Sequence, residues 1–155
     1  MSSSLTFMMG EFNAEFPRDR SYIKNHMWAM PKTNGVIRFG FSAYAVRLLQ
    51  DVYFIDFDIA VGSVLSHRQE FGSIESKKAE SGMYAPIAGE VTAINDELLN
   101  DPSLINVDKY GAGWLLEISG SDDDGLLSPE KYLEHLTSAW EVAQRTIKGQ
   151  ANTED

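Results

Sequence analysis

The sequence predicts a mainly β fold, a barrel or a sandwich, with one short helix inside it and a longer helix near its C-terminal end. From Tyr22 onward, short apolar runs follow one another between Gly, Asn and Pro residues, the signature of many short strands joined by turns. Only two segments change from this punctuation to helical spacing. With 43% apolar and 11% aromatic residues over 155 positions, the chain can bury one core of ordinary size.

Taken in order, residues 1–20 form an N-terminal extension. It opens on Ser2, Ser3 and Ser4 and mixes Phe7, Met8, Met9, Phe12 and Phe16 without a clear period, so a frayed terminus is expected rather than an apolar docking tail. Strands are expected at 27–30, 36–41, 52–59, 70–76, 83–86, 90–94 and 114–118. The first helix, 43–50, has Ser42 as its cap and pairs Tyr44 with Leu48 and Ala45 with Leu49 at four-residue spacing. The second starts at Ser128, with Pro129 in the first helical position and Tyr132, Leu133, Leu136, Trp140 and Ala143 along one face. That Leu and Trp stripe is expected to pack on the β domain, which then spans 21–147, and 148–155 reads as a disordered tail.

Composition excludes several functions. A formal net charge of -10 repels phosphate backbones and anionic lipid, so neither nucleic acid nor membrane is expected as a partner. No stretch of about 18 apolar residues is present to span a bilayer. The first ten residues lack the basic flank and apolar core of a secretory signal, and they are not Arg-rich. The expected location is cytoplasmic, or an organelle matrix if a presequence has been removed. Cysteine is absent, which removes disulfides, thiolate nucleophiles and Cys-based metal sites. His26, His67 and His135 are scattered without metal-ligand spacing, so no metal is expected. No Ser/His/Asp or paired-carboxylate constellation emerges, and an independent enzyme is not expected.

The informative stretch runs from Phe71 to Val91. Alternation holds up to Ser76 and resumes after Gly82, which places Lys77 and Lys78 near the tip of a hairpin. Lysines at an exposed turn are ordinarily just solvated surface. The surrounding pattern, Glu75-Ser76-Lys77-Lys78-Ala79 followed by Ala85-Pro86-Ile87-Ala88-Gly89-Glu90-Val91, resembles the lipoyl-attachment hairpin of glycine cleavage H proteins and of 2-oxoacid dehydrogenase lipoyl domains. In that resemblance Lys78 takes the place of the modified lysine, with Glu75 and Ala79 part of the motif. Biotin carriers share the architecture but usually flank their lysine with Met. Here the flanking residues are Lys77 and Ala79, which favours lipoate.

The similarity to H proteins extends over about 21–137. Tyr22 to Trp28 is similar to the family's opening Tyr and His-Glu-Trp segment, Gly40 to Ala45 to its Gly-Ile-Thr-Asp-Tyr-Ala stretch, and Asp51 to Phe54 to its Gly-Asp-Val-Val-Phe. The segments 94–98, 102–106 and 110–115 continue the match in order. The resemblance implies a barrel–sandwich hybrid and a non-catalytic carrier whose covalent lipoate is attached by a lipoate ligase or lipoyltransferase and reoxidised by dihydrolipoamide dehydrogenase. Most of the matching residues have structural readings: Trp28 and Trp114 as core fillers, Gly40, Gly89, Gly111 and Gly113 as turn or close-approach positions, His26 as a packed, hydrogen-bonded histidine. Glu75 and Glu80 either solvate the hairpin tip or guide the ligase.

In glycine cleavage the loaded arm bears a cationic aminomethyl group, which needs acceptors if it leaves water. The resemblance places the arm cleft at His26, Met27, Leu48 and Gly82. Where the family has Glu, this chain has Met27; where it commonly has Asp, Gly82; where plant-type members have His, Leu48. All three departures remove charge or polarity. They favour the H-like lipoate-binding proteins of sulfur oxidation, which serve a heterodisulfide-reductase-like complex, over a glycine cleavage H protein working with glycine cleavage enzymes.

Overall fold

In the computed structural model, which describes residues 4–120 and 125–153, with side chains through Arg145, three sheets surround two cores. The elements in order are β1 (Ser4–Met9), β2 (Phe12–Pro17), β3 (Ser21–Tyr22), β4 (Met27–Pro31), β5 (Val36–Phe41), α1 (Ala43–Leu49), β6 (Val52–Phe57), β7 (Val64–Leu65), β8 (Glu70–Ser76), β9 (Glu80–Tyr84), β10 (Gly89–Ile94), α2 (Glu97–Asn100), α3 (Leu104–Val107), β11 (Leu116–Ser119) and α4 (Pro129–Thr153). A six-stranded sheet has the order β3-β4-β5-β11-β10-β7, a three-stranded sheet the order β6-β8-β9, and β1-β2 stands as a separate hairpin. The mainly β class is the expected one; the sheets do not close into a barrel.

The main core lies between the two larger sheets. Phe39, Leu116 and Ile118 of the first meet Ile55, Phe71, Ile74 and Met83 of the second, all of them buried. Gly40 marks a close approach. It pairs with Trp28 across β4 and β5, and a Cβ on Gly40 would lie 2.6 Å from the Trp28 indole. That indole is buried and its Nε1 donates to Lys109 O at 2.9 Å, so Trp28 is a core filler.

The N-terminal segment is not frayed. Leu5, Phe7 and Met9 alternate along β1 and Phe12, Ala14 and Phe16 along β2, about a turn at Gly10 and Glu11; Met9, Ala14 and Phe16 are buried. The period is two on both sides of the turn, and Met8, an exposed apolar residue between Phe7 and Met9, hides it in the sequence. With Tyr22, Trp28, Tyr44, Tyr132 and Leu136, the hairpin forms a second core. Phe16 meets Tyr22 edge-on at 5.9 Å and Tyr132 at 5.4 Å, and the two tyrosines stack at 4.8 Å.

Ser128 caps α4 as expected, its Oγ accepting from Lys131 N at 3.2 Å. Ser42 has the backbone of a cap residue but makes no side-chain cap bond. Instead the Tyr110 hydroxyl accepts from Ala43 N at 2.9 Å, and Ser42 Oγ pairs with the Tyr132 hydroxyl at 2.8 Å. The backbone of α4 runs on to Thr153, beyond the boundary expected at 147; Glu154 and Asp155 lie outside the described residues.

Candidate functional site

The segment 77–79 joins β8 to β9, and one buried hydroxyl shapes it. Ser76 Oγ accepts from Lys78 N at 3.3 Å and from Ala79 N at 3.2 Å, and donates to Ala79 O at 3.2 Å; two acceptances and one donation are all that a hydroxyl has to offer. Ser76 N also donates to Ala79 O at 2.8 Å, and Lys77 N donates to Asp51 O at 2.8 Å. The backbone of Lys77 is thereby tied to the turn between α1 and β6, leaving Lys78 in the middle of the projecting loop. Both lysines are exposed. Neither ammonium has a hydrogen-bond or ion-pair partner among the described residues.

Glu75 and Glu80 are opposite each other in the hairpin register. The hydrogen bond between their carboxyl groups, then partial desolvation and the Glu80 charge, push Glu75 above the ordinary carboxylate range. Ala79 is exposed beside Lys78.

A cleft of about 250 Å³ opens between the inner part of the hairpin and α1. His26, Met27, Leu48 and Gly82, separated widely in sequence, all line it. The β3–β4 turn supplies His26 and the start of β4 Met27; Phe41, Ala45, Leu48 and Leu49 come from the end of β5 and from α1; Ile74 and Ser81 to Tyr84 belong to the hairpin. Met27 is buried and Leu48 is partly exposed.

His26 is one of the polar residues of this lining, with Asn25, Ser81 and Tyr84. Its backbone is left-handed, with φ 72°, an uncommon state for a residue with a Cβ. Its Nδ1 lies 2.9 Å from the Tyr132 hydroxyl, which reaches Ser42 Oγ at 2.8 Å. Its ring rests against Tyr44 at 4.5 Å and His135 at 5.7 Å. Burial, reinforced by His135, pushes His26 down to about 4, so the imidazole is neutral at pH 7. Sequence reasoning did not find Tyr132 and Ser42 as its partners, because no local pattern pairs positions so far apart.

Nor did it find Glu70. A side chain starting at Gly82 would collide with Glu70 Oε1 and come within 2.8 Å of the Tyr84 hydroxyl. The place left empty by glycine is filled by a carboxylate from the other strand, where Glu70 is in register with Tyr84. A larger cavity of about 670 Å³, lined by Lys24, Arg68 and Pro86 among others, shares Asn25 and Tyr84 with the cleft but includes no residue of the hairpin tip. Among the described residues no group of three or more His, Asp or Glu side chains is placed to hold a metal ion, and no helix is long and apolar enough to cross a membrane.

A free, projecting amine beside an apolar cleft fits a long acyl arm in amide linkage, since the tip admits a modifying enzyme and Met27, Phe41, Leu49 and Met83 offer apolar cover. These features define a class: swinging-arm carriers, which present a prosthetic group on a lysine to other proteins. Comparison with known proteins gives the particular family. The family model described as "Glycine cleavage H-protein" matches residues 20–139. The chain is 43% identical to the probable glycine cleavage system H protein of Natronomonas pharaonis over 120 residues, 76% of this chain and 94% of that one. It is 41% identical to the H protein of Neisseria meningitidis over 119 residues, 75% and 92% of the two chains. The crystal structure of an H protein from Mycobacterium marinum superposes with a TM-score of 0.70 at 31% identity, covering 79% of this chain and 99% of that one. The chain belongs to the glycine cleavage H-protein family. Its members carry lipoate covalently on a lysine and are non-catalytic subunits of a multienzyme system.

Proposed function

We propose that this chain is the lipoyl carrier of a glycine cleavage system, with the lipoyl group amide-linked to Lys78. When bound, the group would supply a disulfide that accepts two electrons as it opens, so that one of its sulfurs could carry the aminomethyl fragment of glycine between partner enzymes while the protein holds and presents it. The observation that carries this reading is the exposed, unpartnered Lys78 in the middle of a turn pinned by Ser76 and Asp51, beside a cleft lined by His26, Met27, Leu48 and Gly82. Glu75 and Ala79 flank the lysine as part of the surface a lipoate ligase or lipoyltransferase would read. Glycine decarboxylase, aminomethyltransferase and dihydrolipoamide dehydrogenase are the partners this function requires.

The sulfur-oxidation reading drew on Met27, Leu48 and Gly82, and the lining of the cleft does hold no carboxylate of its own. The comparisons favour glycine cleavage over it: the relatives named above are all described as glycine cleavage H proteins. One experiment tests both the site and the pathway. Intact mass after co-expression with a lipoate ligase is expected to show one lipoyl addition, retained in Lys77→Arg and lost in Lys78→Arg; the reverse pattern overturns the site. Incubation of the lipoylated wild type with glycine decarboxylase and glycine is expected to add the mass of one aminomethyl group, and absence of loading returns the sulfur-carrier reading.

A further inference from the structure

The larger cavity, about 670 Å³ in volume, lies within the size range of small-molecule sites, and its lining divides by chemistry. Ile23, Ala85, Pro86 and Leu127 supply an apolar part, the first three of them buried. Lys24, His67 and Arg68 supply two cations and an imidazole, all exposed. No acidic side chain among the described residues belongs to the lining, although the chain as a whole carries a net charge of -10. Asp122, Asp123 and Asp124, next to Gly125 in the sequence, lie outside the described residues. Neither the Lys24 ammonium nor the Arg68 guanidinium has a hydrogen-bond or ion-pair partner among the described residues.

Ordered backbone holds both cations. Gln69 N donates to Ser66 O at 3.0 Å and Ser66 N to Gln69 Oε1 at 2.9 Å, closing the turn between β7 and β8. Arg68 N donates to Ala85 O at 3.0 Å and Ala85 N to Gln69 O at 2.8 Å, which ties that turn to the end of β9. Arg68 lies at φ 71°, in the left-handed region where glycine or asparagine is the usual occupant. The backbone there gives no reason for a long cationic side chain. Lys24 belongs to the β3–β4 turn, closed by Ile23 N donating to Met27 O at 2.9 Å and His26 N to Ile23 O at 2.8 Å. Tyr22 and Leu127 exchange backbone hydrogen bonds at 2.9 and 2.7 Å, fixing that turn to the segment before α4.

We propose that this cavity binds a small organic acid with an apolar or aromatic body, covered by Ile23, Ala85, Pro86 and Leu127, whose carboxylate is received by Arg68 and Lys24. A guanidinium offers a carboxylate two parallel N–H donors, and an ammonium lining the same cavity adds a second positive charge. An inorganic anion would use the charges alone, and a neutral molecule the apolar part alone. The site includes no residue of the hairpin tip, so it stands whatever Lys78 carries. It adjoins the cleft through Asn25 and Tyr84, which line both, Asn25 Nδ2 donating to Tyr84 O at 3.3 Å.

The probes are phenylbutyrate, its amide and inorganic phosphate, titrated into the full chain at constant ionic strength and followed by backbone amide NMR shifts. The acid is expected to move the amides of Lys24, Arg68 and Ala85 saturably. It should bind about three- to twentyfold more tightly than the amide, the range of two exposed ion pairs, and more tightly than phosphate. Arg68→Asn, which keeps a residue that accepts left-handed backbone, and Lys24→Gln are each expected to weaken the acid by about two- to fivefold, the range of one such pair, and to leave the amide unchanged. The proposal is overturned by the absence of a saturable shift with the acid, by equal affinity for acid and amide, or by phosphate binding as tightly as the acid. Variants that weaken acid and amide alike, or shifts confined to residues outside the cavity, overturn it as well.

Discussion

At the scale of single residues, His26 concentrates the chemistry of the cleft. Its folded pKa of about 4 lies below the ordinary histidine value of 6.5, so between those two values the unfolded chain binds more protons than the folded one. Stability therefore rises with pH across this window, is fully present above about 6.5, and is lost progressively as pH falls toward about 4. A difference of this size corresponds to roughly 3–3.5 kcal/mol. His26→Asn keeps a side chain that tolerates left-handed backbone and removes the titration; urea denaturation at pH 7 and pH 5 is expected to show a clear loss for wild type and a markedly smaller one for the variant. Lys78, Glu75 and Ala79 were legible because they form one contiguous motif, and His26, Met27, Leu48 and Gly82 because the resemblance aligned them. Glu70 was not. Its nearness to Gly82 is created by strand register across the hairpin, which no reading of position 82 alone reveals.

Among the elements, the β1–β2 hairpin departs furthest from its sequence reading. It lies before the region matched by the family, residues 20–139, yet it supplies Met9, Ala14 and Phe16 to the second core. Phe16 is fully buried between Tyr22 and Tyr132. Phe16→Ala is expected to destabilise the chain by about 3–5 kcal/mol, measured by urea denaturation, while leaving lipoylation of the remote 70–84 hairpin intact at temperatures below the transition. The strands of the two larger sheets were legible from their alternation and turn residues. β3 and β7 have two residues each, and α2 and α3 four each; a pattern needs more positions than that to show a period. The strand expected at 114–118 begins only at Leu116; residues 109–113 fold as turns, and the Asn95 amide donates to both Ala112 O and Trp114 O at 2.8 Å.

For the whole molecule, the two cores and the attachment loop are separate structures. The tip of the hairpin contributes Ser76 to the buried set, but Lys77, Lys78 and Ala79 are exposed and belong to neither core. Lys78→Ala is accordingly expected to leave the melting temperature within the shift of an exposed substitution, about half a kcal/mol; a loss of several degrees by calorimetry would show that the lysine is part of the packing. The net charge of -10 suits basic docking faces on partner enzymes.

The second core joins β1 and β2, the earliest elements, to α4, the last, and this fixes an order in time. On the ribosome Phe16 emerges while Tyr132 and Leu136 are still untranslated, an interval on the order of ten seconds at about 5–20 residues per second. During that interval the hairpin has no helix to cover it, although the strands bearing Lys78 are already being made. The His26–Tyr132–Ser42 hydrogen bonds form only when α4 arrives, so an interrupted nascent chain has the attachment motif but lacks the wall that fixes the imidazole. Completion of synthesis, rather than appearance of the lysine, is the event that finishes the cleft.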